Sequence, residues 1–301
     1  MNPISPPDAS RATANGVLWM LASIAVFAVM DAIAKYLSAD YPTVAIMWIR
    51  HLSQSVFVFA LLARHGRWSA LRSERPILQI ARASCNIGST YLFIFALAFV
   101  GLADAIAVSM VGPLMLTALS VPLLGEKVGI RRWSAVVIGF AGALIIVRPG
   151  LGVVHPAAML FLGASFLNAL FQIGTRKVSA FDSVETTLLY TTLTGLVITT
   201  VAVPFFWVDV PLWVWALLIL QGVLAGAAHL FQTRAFMMAP ASTLAPMTYS
   251  SLVFATLLGL AVWGDFPDLW TLVGAAVVVG SGLYVIHRER VRRREREVEC
   301  P

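Results

Sequence analysis

The chain has 301 residues, 59% of them hydrophobic and 12% charged, with a formal net charge of +6. A soluble domain carries roughly 45–50% apolar and 25% charged residues, so this composition excludes a single soluble core and indicates a polytopic membrane protein. The positive balance does not indicate a nucleic-acid partner, because the basic residues stand at the ends of apolar runs and in one tail.

Residues 1–15 are polar, include Pro3, Pro6 and Pro7, and lack a cleavable signal pattern, so the first span is expected to be an uncleaved signal-anchor. A membrane helix needs about 20 apolar residues. On that measure, spans fall near 16–37, 43–63, 78–99, 103–123, 131–148, 156–177, 184–204, 212–237, 242–262 and 269–287. Short connections make consecutive helices antiparallel neighbours, and the even count puts both termini on one side. With the N-terminus inside, inner regions hold eighteen of the 21 Lys and Arg, among them Arg64 to Arg82, Lys127 to Arg132 and the arginines of the 288–301 tail. The positive-inside rule then predicts cytoplasmic termini. The tail, 288–301, reads as a solvated topology anchor. Cys85 and Cys300 lie far apart, so a disulfide framework, a thiolate metal site and a cofactor are not expected.

A charged side chain at the bilayer centre costs about 2.5–3.5 kcal/mol on insertion scales, so each one inside a span requires a partner or a water-filled cavity. On the first span, Asp31 and Lys35 are four apart and share a face. They form either a self-neutralising pair near the outer interface or the mouth of a cavity. On the second span Arg50 and Gln54 repeat that spacing, with His51 beside them. Arg82, Asn86 and Thr90 follow on the third; Arg82 marks an interface, and Asn86 lies deeper. Asp104 opens the fourth span, where the helix dipole favours a carboxylate. Gly112-Pro113 interrupts that span and frees a backbone carbonyl. The sixth carries the stripe Ser165, Asn168, Gln172 and Arg176; the two amides are expected to lack local partners and to meet a ligand. The threonines of the seventh, Thr187, Thr191 and Thr194, bond readily to their own helix and say less. The eighth places Gln221, His229 and Gln232 on one face with Arg234 nearby, and the ninth has a kink at Pro246 and an aromatic wall at Tyr249. No HExxH, GxSxG, Walker A loop or clustered carboxylate pair is present, so neither an enzyme nor ATP coupling within the chain is expected.

The chain also repeats itself. Ile87 to Glu126 has the plan of Gly226 to Asp265: Leu124-Gly125-Glu126 answers Trp263-Gly264-Asp265, and each is followed by a Trp-started apolar run, from Trp133 and from Trp270, that closes on an arginine, Arg148 or Arg288. The offset is about 137–140 residues, the mark of a duplicated unit. Five spans per half is an odd number, so the copies lie in opposite orientations.

These residues carry a resemblance. The runs His229-Leu-Phe-Gln-Thr-Arg234, Ala239-Pro-Ala-Ser-Thr243, Ala245-Pro246, Tyr249 and Trp263-Gly264-Asp265 resemble the drug/metabolite transporter superfamily of EamA type, supported by Ala103-Asp104-Ala105, Gly112-Pro113, Gly125-Glu126 and Arg148-Pro149-Gly150. The resemblance spans about Gly16 to Arg288. It implies an all-α integral membrane protein of ten transmembrane helices in two inverted five-helix repeats, at 16–150 and 151–287. It also implies alternating-access transport of a small organic metabolite across the inner membrane. Amino acids, S-adenosylmethionine, purines, riboflavin and drugs are the cargo of resembling families. A site rich in amide, hydroxyl and aromatic groups suits a neutral planar ring, riboflavin first. The expected substrate-binding set is Asp31, Lys35, Arg50, Gln54, Asn86, Asn168, Gln172, His229, Gln232, Arg234 and Tyr249. The lipid bilayer is the obligate partner, a homodimer is compatible with the sequence, and a channel or intramembrane enzyme is the reading from another class. Asp31 carries the question of coupling: a static pair with Lys35 leaves transport as uncoupled facilitation, and a proton site there makes a proton the coupling ion.

Overall fold

In lipid the backbone has no partner but itself, so apolar runs become helices. The computed structural model describes residues 6–65, 71–125, 129–148, 155–178, 180–239 and 244–299. Pro3, Arg67, Glu126, Lys127, Pro149, Gly150, Pro240 to Thr243 and Cys300, each singled out above, lie outside them. The helices are α1 (Pro6–Ser38), α2 (Thr43–His65), α3 (Pro76–Leu97), α4 (Leu102–Ser109), α5 (Gly112–Leu124), α6 (Ile130–Val147), α7 (Met159–Val178), α8 (Val184–Ala202), α9 (Leu212–Met238), α10 (Ser250–Trp263) and α11 (Leu269–Glu299). With α4 and α5 counted as one, seven apolar helices of 21–25 residues are long enough to cross a bilayer. Three shorter apolar stretches, Trp133–Val147, Met247–Trp263 and Leu269–Val285, complete ten among the described residues.

The duplication seen in the sequence reappears in the packing. The α1–α9 contact has its counterpart in α7–α3, α2–α9 in α8–α3, and α1–α10 in α7–α5. The pairs α2–α8 and α6–α11 are their own counterparts. Local geometry repeats too. The fourth span is interrupted by a turn at Met110 and Val111 before α5, and the ninth passes through a 3₁₀ turn, Ala245–Tyr249, before α10. Both spans end on a left-handed glycine, Gly125 and Gly264, each at φ 69°, a conformation that costs a residue with a Cβ far more.

Small residues set the closest approaches, as is usual where lipid offers no hydrophobic drive between helices. A Cβ at Gly222 of α9 would meet Ser53 Oγ and lie 2.7 Å from the Arg50 carbonyl oxygen; one at Gly226 would run into the Phe57 ring. The α9 backbone therefore sits directly against α2 and fixes the turn that carries Arg50.

Candidate functional site

Between the halves lies a cavity of about 300 Å³. Its floor follows from the break in the fourth span. Pro113 has no N–H, so the Ser109 carbonyl four residues earlier loses its helical donor. Ser165 Oγ of α7 donates to that carbonyl in a long contact of 3.5 Å, and Ser109, Gly112 and Ser165 all line the cavity. Ser89 of α3 donates to the Ala164 carbonyl at 2.7 Å and ties a second wall to α7. Thr90 and Asn168 add a hydroxyl and an amide, while Met30, Phe93, Ile94 and Ile106 make the apolar part.

Two charges complete the lining: Asp31 from α1 and Arg50 from α2. Each feels the other's charge, yet among the described residues neither side chain makes a hydrogen bond or ion pair, and Arg50 Nε is buried without an acceptor. An arginine and a carboxylate left unanswered at this depth are costly unless something that enters the cavity answers them.

Of the two alternatives for Asp31 and Lys35, the self-neutralising pair does not hold, while Asp31 does line a cavity. Lys35 Nζ donates to the Val100 carbonyl at 2.8 Å, stands 3.9 Å from Asp265 and lies 5.2 Å over the Trp263 ring. Asp265 in turn lines a separate recess of about 390 Å³, together with Gly101, Ala103, Asp104, Gly264, Phe266 and Pro267. Sharing a helical face did not make the two a pair, because a lysine stem reaches acceptors on other helices. In this recess Asp104 occupies the first turn of α4 and hydrogen-bonds Thr271 of α11. Nearby, Asp268 accepts from Arg148 at 2.5 Å and from the Thr271 N–H at 2.8 Å. Burial alone would raise the Asp268 carboxyl, but these bonds and the Arg148 charge outweigh it and hold it below the usual carboxylate range.

Of the expected set, the structure brings Asp31, Arg50 and Asn168 to the cavity. The two amides of α7 do have a local partner, contrary to expectation: Gln172 Nε2 donates to Asn168 Oδ1 at 2.6 Å, with Gln172 itself exposed. Asn86 is half-buried and does not line the cavity. Gln54 is buried at 4% exposure, and the His51 ring, at 3%, lies where a Cβ at Gly195 of α8 would be. His229 hydrogen-bonds Gln232 and sits edge-on to Phe27 of α1, ring centroids 5.2 Å apart. Arg234 is exposed and lies 5.1 Å over the Trp19 ring. Tyr249 turns its hydroxyl toward Gly282 of α11. These last four residues therefore serve contacts of α9 with α1 and of the ninth span with α11.

Arg82 is a structural knot. It donates to Gln79 Oε1, Thr175 Oγ1, the Thr187 carbonyl and Thr191 Oγ1, and lies 5.2 Å over Phe171, joining α3, α7 and α8. Thr191 also bonds back to the Thr187 carbonyl, as expected of a helical threonine.

The lining differs from the expected one in charge and in aromatics: it holds an acid and a base, one amide and one aromatic ring, Phe93. Ser89 and Ser109 were missed. For Ser109 a signal existed, since the residue four before a mid-span proline owns the freed carbonyl. Ser89 had none.

Comparison with known proteins gives a consistent set. The sequence profile of the EamA-like transporter family matches residues 14–148 and again 155–287. A riboflavin transporter of Vibrio cholerae is 31% identical over 295 residues, covering 94% of this chain and 97% of that protein. An S-adenosylmethionine uptake transporter of Rickettsia prowazekii is 24% identical, covering 94% and 96%. A pseudopaline exporter of Pseudomonas aeruginosa is 29% identical, covering 88% and 93%. A solved protein structure superposes with a TM-score of 0.63 at 18% identity over 95% of this chain, a likeness of fold.

Proposed function

The chain belongs to the EamA-like transporter family, and we propose that its cargo is riboflavin or a similar planar heteroaromatic metabolite, moved by alternating access across the inner membrane with both termini in the cytoplasm. The observation that carries this reading is the cavity between the halves, at about 300 Å³ within the lower range of small-molecule sites. Its hydroxyls and the Asn168 amide suit a cargo with ring heteroatoms and a polar chain. The apolar group Phe93, Ile94 and Ile106 suits a flat hydrocarbon edge. The relative named as a riboflavin transporter supports the choice within the family. The reading is of a carrier rather than an enzyme or a channel, because a site placed between inverted repeats is exposed to each side in turn as the halves rock.

A second reading has one specific observation behind it. Asp31 and Arg50 stand in the cavity without bonding each other, an arrangement that also suits the ammonium and carboxylate of an amino-acid head group, and one of the relatives above is named for S-adenosylmethionine. Counterflow of labelled riboflavin in proteoliposomes separates the readings. Saturable exchange competed by unlabelled riboflavin supports the first. Exchange of S-adenosylmethionine without any of riboflavin supports the second. Non-saturating flux indicates a channel, and conversion of the cargo an enzyme. Coupling is tested on Asp31, the one acid in the lining. If a proton travels with the cargo, Asp31→Asn loses pH-driven accumulation out of proportion to any loss of counterflow. Under facilitation the two survive or fall together. Size-exclusion with light scattering reads whether the carrier is a homodimer.

A further inference from the structure

We propose that Asp31 and Arg50 act as one specificity element, in which the guanidinium donates to a carbonyl of the cargo and the carboxylate accepts from the N–H beside it, so that together they read an imide edge such as that of the flavin pyrimidine ring. The inference rests on the reading of a flavin-class cargo given above.

It starts from what the two groups lack. Both line one cavity, from adjacent helices, and among the described residues neither has a hydrogen bond or ion pair with the protein. Guanidinium offers donors only and carboxylate acceptors only. Set next to each other and unpaired, they present a donor and an acceptor to whatever enters. The residue complementary to both at once is an acceptor beside a donor. A carbonyl flanking a ring N–H is such a group, and it carries no net charge of its own. Net neutrality matters here: the two protein charges compensate one another across the gap, and a cargo with a net charge would leave one of three charges unanswered at this depth.

The surroundings set the orientation. Phe93, Ile94 and Ile106 lie on the same cavity and take the fused-ring body, and Asn168 of the second half, whose Oδ1 accepts from Gln172, keeps its amide N–H donors for a polar substituent. The position of Arg50 is held from behind, because Gly222 brings the α9 backbone against the Arg50 carbonyl. The donor is therefore presented from a fixed helix turn rather than from a loop. A site built to bond an N–H rejects an analogue that lacks it, since the acceptor is then buried unanswered.

The test compares riboflavin with N3-methylriboflavin, in which the imide donor is blocked, on the full chain in proteoliposomes. The expected result is an apparent affinity lower by on the order of 10–100-fold for the methylated compound, the range for one charge-assisted hydrogen bond. In Asp31→Ala, riboflavin weakens and the two compounds become equal to within about threefold. Should the single variant fail to insert, the apolar pair Asp31→Leu with Arg50→Met keeps most of the volume and the net charge while removing both polar groups, and it too is expected to bind the two flavins alike. Equal affinity of the unaltered protein for both flavins overturns the inference and leaves the flavin reading standing. So does retained discrimination in the variants. No flavin exchange at all overturns both. An Asp31 dependence confined to amino-acid cargo overturns the imide assignment in favour of a zwitterion.

Discussion

Replacing Arg82 by methionine removes the knot of α3, α7 and α8 while keeping most of the side-chain volume. Arg82 is 2% exposed and donates four hydrogen bonds, at 2.7 Å to Gln79, 3.0 Å to Thr175, 2.5 Å to the Thr187 carbonyl and 2.9 Å to Thr191. Charge-assisted bonds in water-soluble proteins contribute about 1.5–3 kcal/mol each, which would suggest a total near 6–12 kcal/mol. That total is too large, because the charge is also desolvated in the folded state. Interhelical hydrogen bonds in membrane proteins average about 0.6 kcal/mol, so four give about 2.4 kcal/mol. The lower figure decides, for a structural reason: the orphaned Thr187 carbonyl still accepts from Thr191 at 2.7 Å, so part of the network repairs itself. Arg82→Met is expected to cost about 2–3 kcal/mol, a roughly 30–150-fold drop in the folded-to-unfolded ratio. Reversible unfolding in mixed micelles measures it. Arg82 does not line the cavity, so cargo affinity of the folded fraction is expected to stay within about threefold. A stability loss below about 0.5 kcal/mol would refute the knot, as surface-like substitutions fall in that range.

Asp182 accepts from Ser73 at 2.5 Å, from the Glu74 N–H at 2.9 Å and from Gln79 at 2.7 Å. Burial would raise its carboxyl, but these bonds and the Arg82 charge hold it below the ordinary aspartate value of 3.8. A carboxyl depressed in the folded state adds stability that is complete above 3.8 and is lost as pH falls through the depressed value. Unfolding midpoints taken down to about pH 3 should therefore drop less steeply in Asp182→Asn than in the unaltered chain, and equal slopes would contradict the assignment. Gly222→Ala drives a Cβ against Ser53 and the Arg50 carbonyl. An overpacking cost of about 1–3 kcal/mol is expected together with weaker cargo binding, because relief moves α9 away from the turn that carries Arg50. Unchanged stability and affinity would show that this approach is not tight.

How far the sequence could be read depended on what each residue alone determines. The duplicated plan was legible because apolar run length, the Gly125 and Gly264 ends and the Trp-started runs are properties of the chain itself. Arg50, Asp31 and Asn168 stood out because a charge or an amide in an apolar run has few places to go. Their neighbours misled where the partner lay on a distant helix. Lys35 is one turn from Asp31 but reaches Val100 and Asp265, and His229 finds Gln232 on its own helix and Phe27 across α1. Spacing along one helix defines a face; it does not say which helix meets that face. Ser89 was illegible for another reason, since a serine in a membrane helix bonds to a backbone carbonyl as a matter of course, and only the fold shows that this carbonyl, Ala164, is on the opposite wall.

On the function proposed above, cargo sits in the cavity lined by Asp31, Arg50 and Asn168 rather than among the polar residues of α9. Riboflavin counterflow in Asn168→Leu and Gln232→Leu, each corrected for the amount of folded protein, tests it most directly. An apparent affinity at least about tenfold weaker is expected in Asn168→Leu, the loss of one good hydrogen bond, and a change within about threefold in Gln232→Leu. An unaltered Asn168→Leu beside a crippled Gln232→Leu would contradict it and move the site to the α1–α9 interface.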